Sequence, residues 1–145
     1  MNWKSEAVEK LRMYEAKKRS LQNIPEELRR VKSAMKSIRS ATADGAPVSG
    51  GGSGREDMLL SNIVLQEELE RSLEQATKWV ALVDAGLEIL TKEERTILER
   101  FYVHPERGAA DRLAGDLNID EKTVYKRKDA ALRKFTVSLY GGTEN

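Results

Sequence analysis

Residues 112–135 read RLAGDLNIDEKTVYKRKDAALRKF, and this stretch decides the fold. Leu113 and Leu117 are four residues apart, which places them on one face of a first short helix. Ala114 is the small residue that two crossing helices need where they touch, and Ile119 fills the turn that follows. The spacing predicts a helix-turn-helix, whose second helix enters the major groove of DNA in the proteins that use it.

The second helix of this motif is predicted from Glu121 to about Leu139, with Asp120 as its N-cap. A helical wheel projection predicts that four residues face the core: Val124, Ala131, Leu132 and Phe135. It predicts that Lys122, Lys126, Asp129 and Arg133 point away from the core, with Thr123 and Tyr125 at the edges of the exposed face. We therefore expect double-stranded DNA as the partner of the outward face.

Base edges are read by side chains near the start of a recognition helix. The residues predicted to contact bases or the groove are Lys122, Thr123, Tyr125 and Lys126, with Glu121 as an acceptor for a cytosine amine. The residues predicted to contact phosphates are Arg127, Arg133 and Lys134.

Composition excludes several classes of function. The 145 residues contain no cysteine and one histidine, which removes disulfides, thiolate metal sites and any histidine cluster. No combination of nucleophile, base and orienting group is visible, so we expect neither an enzyme nor a cofactor. The start MNWKSEAVEK lacks the apolar core of a signal peptide, and no window is apolar enough to span a membrane. A soluble, cytoplasmic protein is predicted.

The net charge is only +1, but it is unevenly distributed. Residues 1–41 carry eleven Lys and Arg against five acids, a balance of +6. Residues 42–90 carry three against nine, a balance of −6. Residues 91–145 are nearly neutral, yet the second motif helix concentrates Lys126, Arg127, Lys128, Arg133 and Lys134. The first two segments are electrostatic complements, and the last cluster is the charge that DNA would meet.

Residues 1–41 are predicted to form a basic helical arm. Apolar residues recur at spacings of three and four, the pattern of a coiled-coil stripe: Leu21, Ile24, Leu28, Val31, Met35 and Ile38. Pro25 interrupts this stripe, and Asn23 is a suitable N-cap for a second helix. Two helices and one bent helix fit the pattern equally.

Residues 42–55 are rich in glycine and serine and are predicted to be a flexible linker. Residues 56–90 are predicted to form an acidic helix with a second stripe: Leu69, Leu73, Ala76, Val80, Val83, Leu87 and Leu90. Opposite charge favours pairing of the two stripes. A hairpin within one chain and a coiled coil between two chains both satisfy this pattern.

Residues 91–140 are predicted to form the helix-turn-helix domain. Thr91 followed by Glu94 is the capping-box arrangement, so a helix should begin there and carry Ile97, Leu98, Phe101 and Tyr102 on one side. Proline and glycine in the stretch 104–108 should end it, before a helix at residues 109–117. Gly141 and Gly142 should end the last helix and leave 141–145 as a loose tail. The fold class expected is all-α, a long helical hairpin or coiled-coil arm followed by a helix-turn-helix domain.

Several stretches resemble the ArpU-like family of phage transcriptional regulators, whose C-terminal domain is similar to the fourth conserved region of bacterial sigma factors. They are LTKEERTILERFYV (90–103), RLAGDLNIDEKTVYKRKDAALRKF (112–135), SLYGG (138–142) and GGSGREDMLLSNI (51–63). The resemblance implies a phage or prophage activator of late genes, which would act in the cytoplasm of a bacterial host in association with the nucleoid. Two residue choices depart from the sigma-like pattern: Lys128 and Asp129 stand where an apolar residue is common, and Asn118 replaces the usual turn glycine.

The leading hypothesis is thus a DNA-binding transcriptional regulator that forms a homodimer through its long helices and meets host RNA polymerase. Two copies would read two half-sites and double the phosphate contacts. A phage DNA-packaging adaptor resembling a small terminase subunit is the alternative, and ring assembly would distinguish it. A structural coiled-coil protein is the third hypothesis, which predicts no salt-sensitive affinity for DNA.

Overall fold

A computed structural model describes residues 2–43 and 52–144 of the chain. It contains five α-helices: α1 (Trp3–Ala43), α2 (Gly52–Glu88), α3 (Lys92–Leu98), α4 (Ala109–Leu117) and α5 (Glu121–Tyr140). A π-helical turn (Glu99–Val103) continues α3. The all-α prediction is confirmed. No helix within the described residues has the length and apolar character needed to cross a membrane.

The first helix, α1, passes through Pro25 without ending, so the alternative with two helices and a cap at Asn23 is wrong. Proline in a helix interior costs about 3 kcal/mol because it removes a hydrogen bond and crowds the preceding turn. Burial of apolar residues on both sides of the proline offsets this cost, since Leu11 before it and Leu28 and Val31 after it are buried.

The helices also extend further into the glycine-rich segment than predicted. Helix α1 reaches Ala43 and α2 begins at Gly52, whereas the linker was expected over 42–55 and the helix from Glu56. Once a helix exists, each added residue gains a hydrogen bond, and this gain opposes the cost of about 1 kcal/mol for each helical glycine. Residues 44–51, the rest of the predicted linker, lie outside the described residues.

The two long helices pair with each other in one chain, as one of the two sequence alternatives predicted. Their apolar stripes are buried at Leu28, Val31 and Met35 of α1 and at Ala76, Val80, Val83 and Leu87 of α2. Polar contacts join the helices as well: the Tyr14 hydroxyl donates to Asp84, and the ammonium groups of Lys10 and Lys17 each lie 5.7 Å from the centre of the Trp79 ring. Burial and the hydrogen bond to Asp84 raise the pKa of Tyr14.

The chain divides into two compact units, and both long helices contribute to each. The helix-turn-helix unit comprises residues 2–17 and 78–144, as far as they are described. The paired-helix unit comprises the described part of residues 18–77.

The helix-turn-helix unit has a core in two parts. Ile97, Ala110, Leu113 and Val124 form one cluster, and Phe101, Ala114, Leu117 and Ile119 pack against it. In the other part, α2 lies against α5 at Gly86, where an added Cβ would fall 2.8 Å from Cε2 of the Phe135 ring. A side chain at this position would collide with a fully buried ring, so glycine permits the close approach.

The residues after α5 are held against the start of the chain. Gly141 ends the helix in the left-handed conformation (φ 78°), as predicted. The Trp3 backbone N–H then donates to the Thr143 carbonyl at 3.0 Å, and the Trp3 ring stacks on Tyr140 with centroids 4.6 Å apart. The prediction of a loose tail is therefore wrong for residues 141–144, because aromatic stacking and backbone hydrogen bonds between the chain ends are invisible to a local sequence pattern.

Candidate nucleic-acid interface

The turn between α4 and α5 has the geometry that the motif requires. Asn118 adopts the left-handed conformation (φ 57°, ψ 48°), which asparagine tolerates better than most residues. The Asn118 N–H donates to the Gly115 carbonyl at 3.3 Å and the Ile119 N–H donates to the Ala114 carbonyl at 3.0 Å, so the last carbonyls of α4 are satisfied. Asparagine thus replaces the usual turn glycine without disrupting the turn.

The predicted small residue at the helix crossing is present, and a second one accompanies it. Ala114 packs against the core, while Ala110, one turn earlier, is a member of the buried cluster itself. The sequence contained this signal, since 110, 113, 114 and 117 share one face of a helix. Close approach of α4 and α5 therefore depends on both alanines.

The start of α5 is fixed by its cap. The Thr123 N–H donates to Oδ1 of Asp120 at 2.8 Å, as expected for the predicted N-cap. Hydrogen bonds from Thr123 to the carboxylate lower the pKa of Asp120, and nearby Lys126 lowers it further. The cap sets which residues form the first turn of α5, and hence which side chains stand at its exposed end.

A cluster around Arg100 joins the π-helical turn to α4. Its guanidinium donates to Glu106 with Nε–O distances of 3.0 Å and to Oδ2 of Asp116 from Nη1 at 2.6 Å. Hydrogen bonds to these two carboxylates raise the pKa of Arg100. Sequence reasoning missed this cluster, because its members are separated by six and sixteen residues with no helical register linking them.

The exposed and buried faces of α5 are those predicted from the helical wheel. Val124, Ala131, Leu132 and Phe135 are buried, whereas Lys122, Lys126, Asp129 and Arg133 are exposed. Lys122 and Lys126 are one turn apart, so their side chains leave the helix on the same side. Glu121 is exposed beside them, and Thr123 is half-buried.

Aromatic rings organise the edge of this face. The Tyr125 ring lies 6.0 Å from the Phe101 ring, and the Lys128 ammonium lies 5.1 Å from the first and 5.0 Å from the second. The Lys128 side chain is only 18% exposed, so its stem covers apolar surface while its charge faces the rings. Lys128 therefore serves as a packing residue at the edge of α5. Tyr125 remains about half exposed.

Two of the three predicted phosphate contacts are held by acids of α3. The Arg127 guanidinium donates to Glu93, and Lys134 Nζ donates to Oε1 of Glu94 at 2.9 Å. Glu94 also completes the predicted capping box with Thr91. The backbone hydrogen bond from Thr91 lowers the pKa of Glu94, and the bond from Lys134 lowers it further. Arg133 is exposed and stands apart from these two ion pairs.

The arrangement brings together Glu121, Lys122, Tyr125 and Lys126 as an exposed surface at the start of α5. We call this surface the α5 face. It can donate hydrogen bonds from two ammonium groups and offer an aromatic edge, which are contacts suited to base edges and sugar. Among the described residues, no group of three or more histidine or acidic side chains could hold a metal ion.

No family model, curated protein or solved structure matches this chain. Any assignment of function therefore depends on the residues of the helix-turn-helix unit.

Proposed function

We propose that this chain is a transcriptional regulator of phage or prophage type that binds double-stranded DNA through α5. The observation that supports it is the combination of the α4–α5 turn with the exposed α5 face beside a fully buried Val124. A buried residue at that position anchors the helix on its scaffold, and the lysines on either side of it project outward. This is the arrangement that a major-groove helix needs.

The α5 face supplies the contacts to bases in this proposal. Lys122 and Lys126 donate to the O6 and N7 acceptors of guanine, and Glu121 accepts from a cytosine amine. Tyr125 and Thr123 contact the groove at its edge. The rigid cap at Asp120 fixes the register of these residues relative to the DNA.

Contacts to phosphates divide into two classes. Arg133 is exposed and can contact a phosphate directly. Arg127 and Lys134 must first exchange their bonds to Glu93 and Glu94 for bonds to phosphate. Two acidic neighbours therefore reduce the affinity of this unit for DNA of any sequence, which leaves more of the binding energy to base contacts.

Activation of late genes is the role that the resemblance to ArpU-like regulators supports, and it requires host RNA polymerase as a second partner. A homodimer reads two half-sites, which compensates for a single module of modest charge. A cytoplasmic, nucleoid-associated location follows from the same role.

The test is selection of bound fragments from phage and host DNA, followed by affinity measurements at several salt concentrations. We expect one promoter-like sequence to be enriched and Lys122→Ala or Lys126→Ala to weaken binding to it by about 1–3 kcal/mol each. Arg19→Ala removes the same charge from an exposed position on α1 and serves as the matched control. The control should bind as the parent does.

The proposal is wrong if both lysine variants bind the selected fragment as tightly as the parent. An affinity for DNA that does not change with salt concentration would favour a structural coiled-coil protein instead. Assembly of many copies into a ring would favour the packaging adaptor.

A further inference from the structure

The paired-helix unit leaves several large apolar side chains of α2 exposed to solvent. Met58, Leu60, Val64 and Leu65 are 56%, 60%, 52% and 41% exposed. Leu60 and Val64 are one turn apart, so they lie on the same side of the helix. Met58 and Leu65 are seven residues apart and lie on another side of the helix, so Leu60 and Val64 form an exposed apolar pair of their own, with exposed Glu67 and Glu68 one turn further along.

The same unit is strongly divided in charge. Residues 18–43 of α1 carry seven basic and two acidic side chains, while residues 52–77 of α2 carry two basic and six acidic ones. The exposed bases include Arg29, Lys32, Lys36 and Arg39, and the exposed acids include Glu56, Asp57, Glu67, Glu68 and Glu70. The outer surfaces of the unit are therefore basic on one helix and acidic on the other.

A groove of about 570 Å³ lies on the basic side of the unit. Its lining combines the thioether of buried Met35 with the cationic side chains of Lys32, Lys36 and Arg39. Ser40 of α1 and Gln66 of α2 complete it. An apolar floor with a basic rim fits a helix that presents apolar and acidic side chains together.

We infer that two copies of this chain associate through their paired-helix units into a four-helix bundle. Leu60 and Val64 of each copy are buried in the contact, and the acidic surface of each α2 faces the basic groove of the other copy. A twofold axis uses the complementary pair of surfaces twice, as an isologous dimer requires. The inference rests on the proposed function in that it specifies how its homodimer forms, but it is argued from the paired-helix unit alone and its tests need no DNA.

A second copy is the partner that these observations favour over another protein. The groove needs an occupant that is both apolar and acidic, and the exposed α2 surface needs an occupant that is basic. One unit carries both surfaces, so a second copy satisfies both requirements in one contact. Burial of Leu60 and Val64 then supplies affinity, and the charges determine which helices are neighbours.

The first test is sedimentation of the full chain over a range of concentrations. We expect a species of twice the 16.3 kDa chain mass. The double variant Leu60→Glu, Val64→Glu should raise the dissociation constant at least about tenfold. Val137→Glu is the matched control, since Val137 is an exposed apolar residue of the helix-turn-helix unit at 42% exposure. Circular dichroism confirms that each variant stays helical.

The second test uses charge reversal to identify the neighbours. A chain with Lys32→Glu and Lys36→Glu has acidic side chains on the facing surfaces of both helices, and a chain with Glu67→Lys and Glu68→Lys has basic side chains on both. Each variant alone should dimerise at least about tenfold more weakly than the parent, and an equimolar mixture should recover a heterodimer.

Three results would overturn the inference. They are a parent chain that stays monomeric throughout the concentration range, a Leu60, Val64 double variant that dimerises like the parent, and a mixture of reversed chains that fails to associate. These measurements contain no DNA, so their failure leaves the proposed regulator to be judged by its own experiment.

Discussion

The helix-turn-helix unit and the paired-helix unit differ in how completely each buries its apolar side chains. In the first, Leu11, Ile97, Leu113 and Phe135 are entirely inaccessible to solvent. In the second, Leu28 and the other best-buried apolar residues each keep a few per cent exposure, and four large apolar residues of α2 are about half exposed. Five helical segments that cross at angles can enclose a core, whereas two helices packed side by side bury only the residues that lie between them.

The two units also differ in how their charged side chains are paired. In the helix-turn-helix unit, ion pairs join separate elements, as in Arg127 with Glu93 and Arg100 with Asp116. In the paired-helix unit, Arg30 pairs at 2.8 Å with Glu27 one turn away on the same helix. Ion pairs between elements thus hold part of the surface of the helix-turn-helix unit, and the paired-helix unit presents a basic helix and an acidic helix to solvent. This contrast is consistent with the roles proposed above, DNA binding for the first unit and association of two copies for the second.

Truncation of core side chains tests the contrast most strongly. Phe135→Ala should lower the free energy of unfolding by about 3–5 kcal/mol, because it empties a fully enclosed site. Leu28→Ala should cost about 2 kcal/mol, since a seam near solvent leaves a smaller cavity. Urea denaturation followed by circular dichroism measures both. Equal losses would show that the two units are packed alike.

Replacement of glycine by alanine should change the free energy of unfolding by a smaller amount, and in opposite directions at two sites. Gly86→Ala would place a Cβ 2.8 Å and 3.0 Å from two atoms of the buried Phe135 ring, and we expect a loss of about 1–3 kcal/mol in stability. Gly115→Ala is the matched control, because its added Cβ meets nothing within 4 Å on an exposed part of α4. The control should gain about 0.4–1 kcal/mol from reduced backbone entropy. Thermal melts of the two variants should move in opposite directions; a gain at Gly86 would refute the close packing of α2 on α5.

Release of an internal ion pair should alter DNA binding by a few-fold. Glu93→Gln frees Arg127 for a phosphate, so affinity should rise and the salt dependence should steepen by about one phosphate equivalent. In an Arg127→Ala background the same change should have no effect, which makes a double-mutant cycle the control. An equal rise in both backgrounds would mean that Glu93 acts through general repulsion of DNA.

The smallest effect concerns acid stability. The pKa values of Asp120 and Glu94 are lowered in the folded chain, so both carboxylates add stability above the ordinary carboxyl range near pH 4. That stability is lost as the pH falls through the lowered folded values. Asp120→Asn and Glu94→Gln keep the capping acceptors but no longer titrate, so their melting temperatures should fall less steeply in acid than the parent's. If the melting temperatures of the variants and the parent fell equally steeply with pH, these two caps would not be the source of the acid sensitivity.

Local patterns were sufficient to predict much of the helix-turn-helix unit. The Thr91 capping box, the Asp120 cap and the turn at Asn118 depend on residues within four positions of one another, and the buried face of α5 depends on the helical repeat from Val124 to Phe135. Helical geometry converts such spacings directly into faces and ends. The long apolar stripes likewise predicted two pairing helices, although they left open whether one chain or two supplied them.

Other features required the tertiary structure. The tethering of Arg127 and Lys134, the cluster around Arg100 and the contact of Gly86 with Phe135 each join residues from different elements. Contacts between distant residues also overrode local propensity in two places. Helix α1 continues through Pro25, and the residues after α5 are hydrogen-bonded to Trp3.

The sequence by itself therefore determined the helices, their apolar faces and the α5 face, because periodicity and capping act within a few residues. Only the tertiary structure decided which basic side chains of α5 pair with acids of another helix and which apolar residues of α2 remain uncovered. Those outcomes depend on what each side chain meets across space, and contacts between distant segments leave no periodic trace in the chain.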